Sequence, residues 1–80
     1  MPDVETRLVG CFLTIFPQLS EADIRNASQE KLEQWDSIAA ITLVNVIEEE
    51  FNTQIDYDQL SNLNAFAKVL QYLTVDLGVS

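Results

Sequence analysis

Apolar side chains recur along this chain at helical spacing. Val4, Leu8, Cys11, Phe12 and Ile15 follow an i, i+4, i+7, i+8, i+11 pattern, which is one face of an amphipathic helix. Asp3 stands where a side-chain oxygen can cap its first amides, and Pro17 cannot continue its hydrogen-bond ladder. From 17 to 36 the pattern gives way to a polar connection too long for a simple turn. Within it, Ser20-Glu21-Ala22-Asp23 has the form of a capping box and suits a short helical turn. Leu19, Ile24, Leu32 and Trp35 are the side chains expected to pin this loop to the rest.

A second helix is expected from Ser37 to Phe51. At about 100° per residue, Ala40, Leu43, Val44, Ile47 and Phe51 share one narrow stripe, the expected core face. Its β-branched residues follow helical spacing and not alternation. Asp56 to Ser61 suits a single capped turn or short helix. Asn64 is placed to cap a last helix, with Phe66, Val69, Leu70 and Leu73 inward, Lys68 outward and Gly78 beyond its end. The expected fold is all-α: a small bundle of three main helices plus one short helix, with a long loop between helices one and two. Residues 1–80 make a single domain.

Composition then removes several function classes. Histidine is absent, which takes away the usual general base and the commonest neutral metal ligand. One cysteine neither closes an internal disulfide nor builds a zinc site on several thiolates. Thirteen acids against four bases give a net charge of −9, which disfavours nucleic acid and anionic membrane surfaces and favours basic protein patches. An enzyme is not expected. Met1-Pro2-Asp3-Val4-Glu5 does not begin like a secretory signal, and no apolar run approaches the roughly 20 residues of a membrane span. A reduced, cytoplasmic setting is expected, and a monomer, because no seam of heptads appears.

Charge is unevenly placed. From Leu32 to Ala67 there is no Lys or Arg, while Glu33, Asp36, Glu48, Glu49, Glu50, Asp56 and Asp58 supply seven acids. Such a stretch is either an ordinary solvated face or a docking strip for a basic partner. Glu48, Glu49 and Glu50 close the second helix, where acids oppose the helix dipole at a cost of a few tenths of a kcal/mol each.

The second feature is Asp36-Ser37-Ile38, which opens that helix. Either Asp36 or Ser37 can serve as a plain cap. A hydroxyl here also projects from a rigid helix end into water, where an attached phosphate meets free amides and the positive end of the dipole. On the helical wheel Ile38 and Ile41 point away from the core stripe. Either Leu32 and Trp35 of the long loop fold over them, or they form an exposed apolar contact beside the acids.

Taken together, Asp36-Ser37-Ile38, the helix it opens, Ile47-Glu48-Glu49-Glu50-Phe51 and the short acidic segment after Ile55 resemble the acyl carrier proteins. The likeness extends over nearly the whole chain. It implies that Ser37 receives 4′-phosphopantetheine from coenzyme A through a phosphopantetheinyl transferase, with Asp36 and Ile38 flanking the attachment point. It implies Ile41, Glu48 and Glu49 as partner-docking residues. The implied partners are acyl-activating, ketosynthase or acyltransferase enzymes, which supply the catalytic groups this chain lacks. It also implies that acyl chains shelter between the helices, where Leu43, Val44, Ile47, Phe51, Leu60 and Phe66 either line a space or form an ordinary core. Cys11, on a core stripe, is expected to be inert.

The chain departs from the fatty-acid members of that family at four positions. Ala39 and Thr42 stand where those proteins commonly place acids, Asn45 where they expose a methionine, and Trp35 where a small residue is frequent. A carrier for a specialised pathway, fatty-acid-like, polyketide or other, fits this pattern better than primary lipid synthesis. The alternative is a non-covalent acidic helical adaptor for a basic protein partner. A calcium loop starting at Asp56-Tyr57-Asp58 fails, with Leu60 and Ser61 where a ligand and a glycine are needed and Ala67 in place of the bidentate acid.

Overall fold

The computed structural model describes residues 3–79, and within them the protein is all-α. Helix α1 spans Val4–Ile15, α2 Glu21–Arg25, α3 Ser37–Phe51 and α4 Phe66–Gln71. A 3-10 helix at Tyr57–Asn62 precedes α4, and a π-turn at Tyr72–Asp76 prolongs it. Three main helices, α1, α3 and α4 with its extension, are thus accompanied by the short α2 and the 3-10 helix, at the two places where short helical segments were expected.

Most ends form as their side chains dictate. Asp3 accepts the Thr6 N–H at 2.8 Å and starts α1, and that bond holds its carboxyl below the usual carboxylate range. The capping box at Ser20 is complete: its hydroxyl accepts the Asp23 N–H at 3.1 Å, and the Asp23 carboxylate accepts the Ser20 N–H at 3.5 Å. Asp56 accepts from Asp58 N at 2.9 Å and opens the 3-10 helix. α3 closes on Asn52 in the left-handed region, φ 51°, with the Thr53 N–H returning to the Glu48 carbonyl at 3.1 Å. Gly78, φ 65°, ends the last helix as its position implied, and Val79 N–H donates back to the Leu73 carbonyl at 2.9 Å.

Asn64 does not cap α4. The preceding position is Ala65, which offers no capping side chain. The long loop does the work instead: Phe66 N–H donates to the Ala27 carbonyl at 3.0 Å, and Gln29 N–H donates to the Asn64 carbonyl at 2.9 Å. Ser28 and Ala65 thus form an isolated antiparallel bridge. A backbone acceptor satisfies the free first amide as well as a side-chain cap does.

The core has an aromatic centre. Phe12 is fully buried and meets Trp35 edge-on, with ring centroids 5.3 Å apart, and Phe66 likewise at 5.2 Å. Phe16 flanks Trp35 at 6.4 Å. Such edge contacts add about 0.5–1.5 kcal/mol each beyond area burial. α1 packs most extensively on α3 and also touches α2 and α4. The expected stripes lie inward: Val4, Leu8, Cys11 and Phe12 on α1, all five expected positions on α3, and Phe66, Val69 and Leu73 at the end of the chain. Ile15 and Leu70 are only partly covered. Ile24 and Trp35 anchor the loop, with Leu19 and Leu32 packed more loosely.

Candidate functional site

The site begins where the loop rises out of the core. Trp35 is 2% exposed and held by the Phe12 and Phe16 rings, so the chain is fixed immediately before Asp36. Asp36 is extended (φ −92°, ψ −173°) and is the cap of α3: its Oδ1 accepts the Ala39 N–H at 2.9 Å, and its carbonyl accepts the Ala40 N–H at 2.9 Å. Ser37 is the first helical residue and is exposed. Because Asp36 does the capping, the Ser37 hydroxyl carries no hydrogen bond among the described residues. A hydroxyl oxygen thus stands uncommitted at the start of a fifteen-residue helix whose inward face is locked into the core.

The two isoleucines resolve in favour of exposure. Trp35 turns inward and does not cover them. Ile38 is 76% exposed and Ile41 44%, three residues apart on the same side of α3. Beside them lies a shallow hollow of about 210 Å³ lined by Gln29, Ser37, Ala40, Ile41, Leu60 and Ser61. Leu60 was expected to line an acyl shelter and does border this hollow. Leu43, Val44, Ile47, Phe51 and Phe66 are buried members of the packed core. Gln29 and Ser61 carried no signal in the sequence, since neither belongs to a periodic face and both reach the site through the tertiary arrangement of loop and 3-10 helix.

The acids at the end of α3 divide into three roles. Glu48 is half-buried, and its Oε2 accepts the Ile55 N–H at 2.7 Å, tying the segment after the helix back to it. Glu50 pairs with Arg7 at 2.8 Å. Glu49 is exposed and carries no ion pair among the described residues. The expectation that these acids serve a partner therefore meets a local explanation at Glu48 and Glu50: each spends its carboxylate on the fold. Arg25 is likewise engaged, by Glu5 and Glu21. Two of the four cations are thus neutralised on the α1 and α2 side, and Glu33, Asp36, Asp56 and Asp58 face solvent elsewhere.

Among the described residues, no group of three His, Cys, Asp or Glu is placed to hold a metal ion, and no helix is long and apolar enough to cross a membrane. Cys11 is buried, and desolvation, with Glu50 nearby, pushes its thiol up to about 11. No family model matches the chain, and no match was found among curated proteins or solved structures.

Proposed function

We propose that this chain is a phosphopantetheine-dependent carrier protein, with Ser37 as the covalent attachment point. The observation that carries the reading is the division of labour at the start of α3: Asp36 caps the helix, so the Ser37 oxygen is exposed and uncommitted on a rigid stem. The residues around it suit the group. The first-turn amides and the positive end of the helix dipole favour a phosphodiester there. Open space and an apolar-lined hollow adjoin the serine. In loading, the Ser37 oxygen forms a bond to the phosphorus nearer the pantetheine in coenzyme A, the bond to the adenosine bisphosphate leaving group breaks, and the serine proton passes to a base on the transferase.

Once attached, the group supplies a terminal thiol that holds carboxylic cargo as thioesters. The chain's own residues position it and present it. Ile38 and Ile41 offer an apolar contact, and Glu49 offers a free negative charge to basic partners. Contact with any one enzyme can stay weak, because tethering raises the cargo's effective concentration. The partners are a phosphopantetheinyl transferase and acyl-activating, ketosynthase or acyltransferase enzymes. The pathway is fatty-acid-like, polyketide or another specialised biosynthesis, and the compartment is the cytoplasm.

Intact mass after incubation with coenzyme A and a broad-specificity transferase tests this, with Ser37→Ala in parallel. A gain of one phosphopantetheine unit in the wild type alone is the expected result. No gain with several transferases would replace the carrier by a non-covalent acidic adaptor and reduce Ser37 to a surface residue.

A further inference from the structure

We propose that the hollow between α2 and the loop that follows it binds a free α-amino acid with an apolar side chain. This hollow of about 250 Å³ is lined by Leu19, Asp23, Asn26, Ala27, Lys31 and Leu32. It shares no lining residue with the one beside Ser37, and the proposal does not depend on the reading of that serine. Ala27 belongs to the core and Leu19 and Leu32 pack against it, which gives the hollow aliphatic walls. Asp23, Asn26 and Lys31 are exposed. An acid, an amide and a base around an apolar depression complement what an apolar amino acid presents: an ammonium, a carboxylate and a hydrocarbon branch on one carbon.

Each polar side chain has an atom to spare. Asp23 accepts the Ser20 N–H through Oδ2 at 3.5 Å, and its Oδ1 accepts nothing among the described residues. Asn26 donates from Nδ2 to the Ala22 carbonyl at 3.0 Å, which leaves its Oδ1 to accept. Both oxygens suit an ammonium, which has three donors and no acceptor. Lys31 makes no ion pair among the described residues, although the opposite charge of Asp23 stands on the same hollow. Its own ammonium suits a carboxylate. Size agrees as well. At ~30 Å³ for a water-sized group, a hollow of about 250 Å³ takes about eight such groups, close to the bulk of leucine or methionine. The backbone behind these groups is already fixed: the Ala27 carbonyl accepts the Phe66 N–H at 3.0 Å, and the Lys31 N–H donates to the Ser28 carbonyl at 3.1 Å. A hydrocarbon alone or a zwitterion alone would use half of the lining, and an apolar amino acid uses all of it. Burial of its side chain removes apolar surface from water, while the exposed charges each change affinity only a few-fold.

The test is NMR titration of the full chain, labelled with nitrogen-15, with L-leucine at constant ionic strength. The expected result is a saturable shift centred on the Ala27, Lys31 and Leu32 amides and the Asn26 side-chain amide, with a Kd of about 1 mM. Leucinamide, which lacks the carboxylate, and isocaproate, which lacks the ammonium, should each bind about three- to fivefold more weakly. Glycine, which lacks the apolar branch, should give no saturable shift. Lys31→Ala removes an exposed side chain that makes no hydrogen bond among the described residues. It should weaken leucine about three- to fivefold and leave leucinamide unchanged. No shift up to about twenty times the expected Kd, or shifts confined to other residues, overturns the site. Equal binding of leucine and isocaproate overturns it as well, reducing it to a plain apolar depression.

Discussion

The guanidinium carbon of Arg7 lies 4.5 Å from the centroid of the Phe51 ring, bringing α1 over the last turn of α3. The same side chain donates from Nε to the Glu50 carboxylate at 2.8 Å and from its terminal nitrogen to the Glu50 carbonyl at 2.7 Å. A cation thus sits where α3 has free carbonyls and a negative dipole end, offsetting the cost of three consecutive glutamates.

Arg7→Ala should destabilise the fold by about 1–2 kcal/mol, most of it from the ring contact and the carbonyl cap. The ion pair itself is half-exposed and adds little. Arg7→Lys keeps the charge but not the planar fork and should recover only part of the loss. Urea unfolding of the three proteins checks this, and a midpoint unchanged in Arg7→Ala would count against it.

Asp36 and Ser37 should separate cleanly in experiment. Asp36→Ala removes a cap and should cost about 1 kcal/mol of stability, with Asp36→Asn near neutral. Ser37→Ala removes an exposed hydroxyl without a structural bond and should shift stability by no more than about 0.5 kcal/mol, while abolishing modification. Denaturant curves and intact mass on the same three variants provide both readouts.

Cys11 should be unreactive in the native protein. Its thiol titrates near 11 in the fold against an ordinary value of 9.0, so the fold disfavours the thiolate. Its contribution to stability is therefore complete below pH 9 and is lost as pH rises from there through 11. Iodoacetamide at pH 8 should leave native protein unlabelled over a period that labels urea-unfolded protein fully, read by mass. Rapid labelling of the native state would contradict the buried position.

Glu49 and Glu48 should behave differently when reversed to Lys. Glu49→Lys leaves the fold intact and should slow loading by the transferase, more at low salt than at high, because exposed charges act by steering. Glu48→Lys also breaks the bond to Ile55 N–H and should lower the melting temperature. Rates of Glu49→Lys equal to wild type at both salt concentrations would remove it from the docking surface.

Much of the helical framework was readable in advance because its determinants are local. The limits of α3, its inward stripe, the box at Ser20 and the turn at Gly78 each depend on side chains within one or two turns of each other. Helical periodicity and capping chemistry act over that range, so no partner element needs to be known. The motif Asp36-Ser37-Ile38 was legible for the same reason, although which of the first two residues caps was not, since both have the required oxygen.

The remaining features depend on contacts between residues far apart in the chain. Asn64 has a good capping side chain, yet the Ala27 carbonyl, thirty-nine positions before Phe66, takes the amide it would have served. Arg7 and Glu50 are 43 residues apart, and only their meeting shows that Glu50 is occupied. Whether Ile38 and Ile41 were covered turned on the direction of Trp35, and the Phe12 and Phe16 rings draw that indole into the core even though its N–H finds no partner among the described residues. Local chemistry placed the serine at the head of a helix. The aromatic packing behind it, which depends on where distant side chains come together, decided that the serine and its two isoleucines face water.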